Sequence, residues 1–160
     1  MTPAQLTVLA AALRADTNPD VAAAVAIGNA TYLVSTYNTL STYIVWRSVL
    51  TPDQARDAIV SGAQLAQLDN LTVGKRDALL YAFAANVNTA NQATREAILD
   101  LCGTQNVLKA ALTAAVKRAA TQAEKLFATG TGTDATPGDL GWEGQITIED
   151  VGVALRDNPA

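Results

Sequence analysis

The first residues whose spacing could do chemistry are carboxylates four apart. Asp53 with Asp57, and Glu96 with Asp100, each place two acids on one helix face, as a divalent cation or an acid–base pair would require. The chain contains no histidine. The commonest zinc ligand, the usual base at neutral pH and every Ser–His or Cys–His pair are therefore missing. Neither acidic pair has a third acid at suitable spacing, and solvated acids on a helix face are ordinary. Cys102 follows Leu101 in an apolar stretch and reads as a small buried hydrophobe rather than a nucleophile. The run Gly130-Thr131-Gly132-Thr133 lacks the Gly-Lys-Ser/Thr ending of a phosphate loop; Asp134 follows it, and the residues before it read as helix. Gly74-Lys75 at a helix start could hold an anion, but Asp77 follows closely. These residue types point away from an enzyme: no catalytic residue, metal site or cofactor is expected.

Composition narrows the class further. Of 160 residues, 49% are hydrophobic, 5% aromatic and 16% charged, and alanine makes up a fifth. This length suits one domain, or a domain with an appended arm, and is long enough to bury a core without staples. One cysteine excludes an internal disulfide framework. Eleven Lys+Arg against 15 Asp+Glu give a net charge of −4, whereas a free-standing nucleic-acid binder usually carries a basic surplus. No run of about 18 apolar residues is present, so no membrane-spanning helix is expected. The first twenty residues lack a basic segment ahead of an apolar one, which predicts synthesis in a reducing cytosol without an export signal.

The elements that must position these residues are mostly helices. Thr2-Pro3-Ala4-Gln5, Thr51-Pro52-Asp53-Gln54 and Thr121-Gln122-Ala123-Glu124 are capping boxes, in which threonine and a residue three further on satisfy each other's backbone amides. The first opens a helix to about Arg14 with Leu6, Leu9 and Leu13 on one stripe. Asn18-Pro19-Asp20 opens a second, ended by Gly28-Asn29, and a third covers Ala30 to Tyr37. Asn38 to Leu50 is rich in aromatic and β-branched residues and favours extended chain. Further helices are expected from Pro52 to about Val60, from Val73 to Ala85 with Ala78, Tyr81 and Ala82 on one face, from Gln92 to Cys102, and from Gln105 to about Arg118. A short helical turn reaches Phe127, and Ala63 to Asn70 stays unassigned. Thr129 to Gly138 reads as a flexible arm. A strand or small hairpin is expected within Leu140 to Thr147, and a last helix from Ile148 to Leu155. The expected architecture is mainly α: a helical bundle over residues 1–128, then a Gly/Thr-rich arm and a small β/α element over 129–160.

Charge is distributed unevenly. Lys109, Lys117, Arg118 and Lys125 are offset only by Glu124, whereas Asp134, Asp139, Glu143, Glu149, Asp150 and Asp157 face Arg156 alone. Such a division suits head-to-tail contacts between identical subunits, or complementary patches on different partners. Trp46 and Trp142 are core anchors by default and natural hot spots if they lie in an interface.

Three blocks of the chain resemble a family of tailed-bacteriophage structural proteins. They are Asp69-Asn70-Leu71-Thr72-Val73-Gly74-Lys75 with the following helix, the longer and more specific block from Lys117 to Thr133, and Glu143-Gly144-Gln145 with Asp150-Val151. Val45-Trp46-Arg47 and the Thr-Pro-Ala-Gln opening fit as well, so the resemblance covers most of the chain in order. The chain departs from the family pattern in one helix, where a tryptophan-containing segment is replaced by Leu79-Leu80-Tyr81-Ala82-Phe83.

The resemblance implies a head–tail connector. On that reading the protein is a mainly helical adaptor or head-completion subunit of the virion neck, made in the host cytoplasm. Its partners would be its own copies in a ring (twelve-fold by analogy with portal-bound adaptors), the portal protein and a downstream neck or tail-completion protein, with nonspecific contact to DNA in the channel and none to a membrane. Trp46, Arg47, Lys75, Arg76, Lys117, Arg118, Lys125, Thr129, Gly130, Thr131, Gly132, Thr133 and Trp142 are the residues expected to meet the portal, a neighbouring subunit or DNA. Removing 129–160 is expected to leave a helical monomer that no longer enters particles. The alternatives are a tail-completion or other neck protein, a small helical binding protein with no virion role, and a hydrolase using carboxylates alone.

Overall fold

A computed structural model describes residues 1–158. The fold is mainly α, 57% helical with short strands only. The helices are α1 Pro3–Ala15, α2 Pro19–Ala26, α3 Ala30–Tyr37, α4 Pro52–Ile59, α5 Gly62–Asp69, α6 Val73–Ala82, α7 Gln92–Cys102, α8 Asn106–Ala115, α9 Gln122–Lys125 and α10 Ile148–Asp157. The strands are β1 Leu40–Trp46, β2 Val49–Leu50, β3 Val87–Asn88, β4 Lys117–Thr121, β5 Ala128–Thr129 and β6 Asp139–Leu140. They pair as three two-stranded sheets, β1 with β4, β2 with β3 and β5 with β6. Leu50 faces Val87 and Ala128 faces Leu140 in the two antiparallel pairs β2–β3 and β5–β6.

Local sequence accounts for where helices begin. All three expected capping boxes form, at Thr2, Thr51 and Thr121, and Thr147 with Asp150 makes a fourth. Each threonine hydroxyl accepts from an amide that the helix leaves unpaired, an arrangement whose loss typically costs about 1 kcal/mol. Asn18, Asn29 and Asn91 cap α2, α3 and α7 through their side-chain oxygens. Gly103, at φ +57°, ends α7 in a backbone conformation that suits glycine.

The chain forms two compact units, residues 1–44 with 119–160, and residues 45–118. In the first, α10 packs against α1 and α3, α2 against α1 and α3, and α9 against α3. Leu9, Leu13, Val21, Leu33, Ala123, Ile146 and Val151 form its core. In the second, α8 is central and packs against α4, α5 and α7, while α6 packs on α7. Leu50, Leu68, Leu79, Ile98, Leu108 and Leu112 are its buried centre. The passages between units, at 44/45 and 118/119, fall within β1 and β4.

Several expectations are corrected. The units do not divide at 128/129: Ile146, Val151 and Ala154 belong to the same core as Leu9 and Leu13. Removing 129–160 therefore strips a core wall instead of trimming an arm. The helix expected to reach Arg118 stops at Ala115, and Lys117–Thr121 is strand. Of residues 63–70, left unassigned from sequence, 63–69 fall within α5 and Asn70 is its C-cap. No strand lies within 141–147; the pairing falls one step earlier, at Asp139–Leu140. Tyr81 does not pack with Ala78: it is 84% exposed, while Leu79 and Phe83 are buried.

Candidate interaction surfaces

Within the first unit, the Gly/Thr segment expected to be a loose arm is folded onto β1. The Ile44 amide donates to Gly132 O at 2.7 Å, and the Gly138 amide donates to Ile44 O at 2.9 Å. The Tyr43 hydroxyl donates to Gly130 O at 2.8 Å. Gly132 and Gly138 are buried against the Tyr43 ring. A Cβ on Gly138 would stand 2.6 Å from Tyr43 Cε1, and one on Gly132 would lie inside van der Waals contact with the same ring. The glycines thus form a cradle that only residues lacking Cβ can make. The loop tip closes on itself through threonine hydroxyls. Thr131 Oγ1 donates to Thr136 O at 2.9 Å, Thr133 and Thr136 share a bond at 2.8 Å, and Thr131 and Thr136 hydroxyls are also bonded. Thr129 is in β5, paired opposite Asp139.

Trp142 is half-buried and packs on Phe127 edge-to-face, with ring centroids 5.6 Å apart. Its loop is pinned by Glu124, whose carboxylate is almost fully buried. Glu124 Oε1 accepts from the Gly144 amide at 3.1 Å, and Oε2 accepts from the Thr121 amide at 2.9 Å. Lys125, exposed at the end of α9, borders a cleft of about 420 Å³ lined also by Asp16, Asn18, Val21, Tyr37 and Gln122. There the Tyr37 hydroxyl donates to Asp16 Oδ2 at 2.8 Å. Burial first, and the Asp16 carboxylate second, push the Tyr37 phenol above the ordinary tyrosine range.

The remaining predicted site residues belong to the second unit. The Arg95 guanidinium lies 4.3 Å from the Trp46 ring centroid and Lys117 Nζ 5.8 Å from it, so both cations face the indole's negative π-cloud. Arg95 is itself buried, donating from Nη1 to Thr89 O and Ala90 O at 2.7 and 2.8 Å. Trp46 is thus packed within its unit rather than held out as a free aromatic. Arg47 Nε donates to Ala115 O at 2.9 Å. Lys75 is exposed and its Nζ donates to Asp100 O at 3.3 Å. Arg76 lies 4.0 Å from Asp69 and 3.8 Å from Asp77. Arg118 is half-buried in β4 beside Lys117.

The chemistry candidates are dispersed. Asp53 pairs with Arg56, and Glu96 accepts from Gln92 at 2.7 Å, all exposed. Among the described residues, no three His, Cys, Asp or Glu side chains are grouped to hold a metal ion. Cys102 is buried; burial pushes its thiol up, against the smaller opposing pull of Lys109 and Lys75. Sequence reasoning missed Tyr43, Gly138, Glu124 and Arg95. Only Glu124 carried a local signal, the fourth position of a capping box, and it pointed to the helix start rather than to Gly144. No family model, curated protein or solved structure matches this chain.

Proposed function

We propose that this chain is a structural subunit of the head–tail interface of a tailed bacteriophage. It acts as an adaptor-ring subunit that docks to the portal and links it to a downstream neck or tail-completion protein. The observation that carries the reading is the block from Lys117 to Thr133, the most specific part of the family resemblance. In the structure this block is one continuous piece of architecture: β4, the capped turn α9, β5 and the start of the loop on Tyr43. A mainly helical fold with exposed apolar side chains on several helices suits a protein whose work is contact geometry. The test is the protein content of purified particles carrying the gene, by mass spectrometry, with gold-labelled antibody to locate the chain. Stoichiometric presence and labelling at the tail vertex are expected. Absence from particles, or labelling away from that vertex, overturns the reading.

A further inference from the structure

The cleft of about 420 Å³ beside Tyr37 lies wholly within the first unit, and its volume is in the range of small-molecule sites. Asp16, which closes the C-terminal end of α1, stands in its wall. Both carboxylate oxygens are held, Oδ2 by the Tyr37 hydroxyl at 2.8 Å and Oδ1 by the Asn18 amide at 2.9 Å. These donors are neutral. They fix the direction of the carboxylate without cancelling its charge, and each oxygen keeps a lone pair for a further donor. The end of α1 adds the negative pole of a helix to the same wall. Lys125 lines the cleft from α9. Neither Asp16 nor Lys125 is ion-paired, with the other or with any described residue. Ala12, Ala15, Val21 and Leu126 add apolar wall. Tyr37 gives a second sign: its phenol is raised first by burial and then by Asp16, and perturbed titratable groups gather at binding sites.

We propose that this cleft binds a free aliphatic amino acid, its ammonium on Asp16, its carboxylate on Lys125 and its side chain against Val21 and Leu126. One carboxylate and one ammonium, unpaired in the same cleft, complement a molecule that carries the same two charges in reverse. A plain cation would leave Lys125 unmatched, and a plain anion would meet Asp16. Both contacts are charge-assisted hydrogen bonds, the stronger kind. The carboxylate is oriented before the ligand arrives, so little is lost in ordering it. The inference does not rest on a virion location, so the particle measurement and the experiment below fail independently.

Amide proton–nitrogen correlation spectra of the full chain, titrated with L-leucine to about 20 mM, test it. The amides of Asp16, Asn18, Tyr37 and Gln122 should shift with a dissociation constant of about 0.1–1 mM. Isoamylamine is leucine without its carboxylate, and isocaproate is leucine without its ammonium. Each should bind about 10-fold or more weaker than leucine. Lys125→Met, at an exposed position, should weaken leucine about 10-fold or more and leave isoamylamine unchanged. Asp16→Asn, which keeps one acceptor oxygen, should weaken leucine to the same degree without weakening isocaproate. If Asp16→Asn unfolds the chain, the Lys125→Met titrations decide alone. Leucine that shifts none of these amides overturns the proposal. So do analogues that bind as tightly as leucine, variants that bind leucine like the wild type, or folded variants that weaken all three probes alike.

Discussion

Adding one methyl group at Gly132 tests whether the loop on β1 is a built part of the first unit. Gly132 has φ +64°, where a residue with a Cβ costs roughly 1–2 kcal/mol. Its Cβ would also press into the Tyr43 ring, and overpacking of this kind costs about 1–3 kcal/mol. The ring cannot move away freely, since its hydroxyl is bonded to Gly130 O and the next residue, Ile44, is bonded on both sides to the loop. Gly132→Ala should therefore destabilise by about 2–5 kcal/mol. For a chain of this length, each kcal/mol lowers the melting temperature by about 2–4 °C, so a fall of about 4–20 °C is expected in calorimetry. The two contributions separate in a double variant. Tyr43→Ala removes the ring, so Gly132→Ala placed on that background should cost only the backbone share, about 1–2 kcal/mol. A Gly132→Ala protein that melts within about 1 °C of wild type, well inside the expected fall, refutes the cradle. So does an equal cost with and without the Tyr43 ring.

Three further outcomes follow from the buried polar groups. Glu124→Ala leaves the Thr121 and Gly144 amides without their carboxylate and should cost about 2–4 kcal/mol, read as a lower urea midpoint; Glu124→Gln should cost less, because one acceptor oxygen remains. Tyr37, whose folded phenol is raised, contributes stability that is complete below the ordinary tyrosine value of 10.0 and is lost as pH rises beyond it. Wild-type melting temperature should therefore fall on the alkaline side, and Tyr37→Phe should flatten that fall while losing about 1 kcal/mol at neutral pH from the missing bond to Asp16. Asp150 is pushed up by burial, but the Thr147 hydroxyl and amide and the N-terminal ammonium outweigh this and hold it below the ordinary aspartate range. Its stabilisation is present above the unfolded aspartate pKa of about 3.9 and is lost as pH falls through the folded value. Asp150→Asn should accordingly flatten the acid limb of a melting-temperature profile while lowering the neutral plateau.

Helix starts were legible because capping is local chemistry. A threonine, a proline and an acid or amide within four residues are enough to place α1 and α4, and the structure realises those caps. The β1 segment was legible for a similar reason: Tyr43, Ile44, Val45 and Trp46 crowd a helix backbone and suit a pleated one. What could not be read depends on residues far apart in the chain. Lys117 to Thr121 consists of helix-compatible residues following a good helix, and becomes strand because β1 offers a hydrogen-bonding edge. Gly132 and Gly138 read as flexibility because a glycine's meaning depends on what approaches it, and here that is the ring of Tyr43, far earlier in the chain. The same applies to the residue 128 boundary. The change of composition there is real, but Val151 and Ala154 on α10 complete the wall that Leu9 and Leu13 leave open.

That arrangement gives the alanine excess a physical role. Small side chains on α4 and α8 let the helices approach closely while leaving the groove over Ala111 and Ala114, and they lose little side-chain entropy on folding. They also bury little apolar area per residue. Both cores consequently depend on a few leucines, such as Leu9 and Leu33 in one unit and Leu108 and Leu112 in the other. Meanwhile Val73 and Tyr81 remain outside. Apolar area left on the surface of such a thin-cored protein stabilises it only when a neighbour covers it. Because binding to the folded state alone raises apparent stability with concentration, the melting temperature of the wild type should rise with protein concentration.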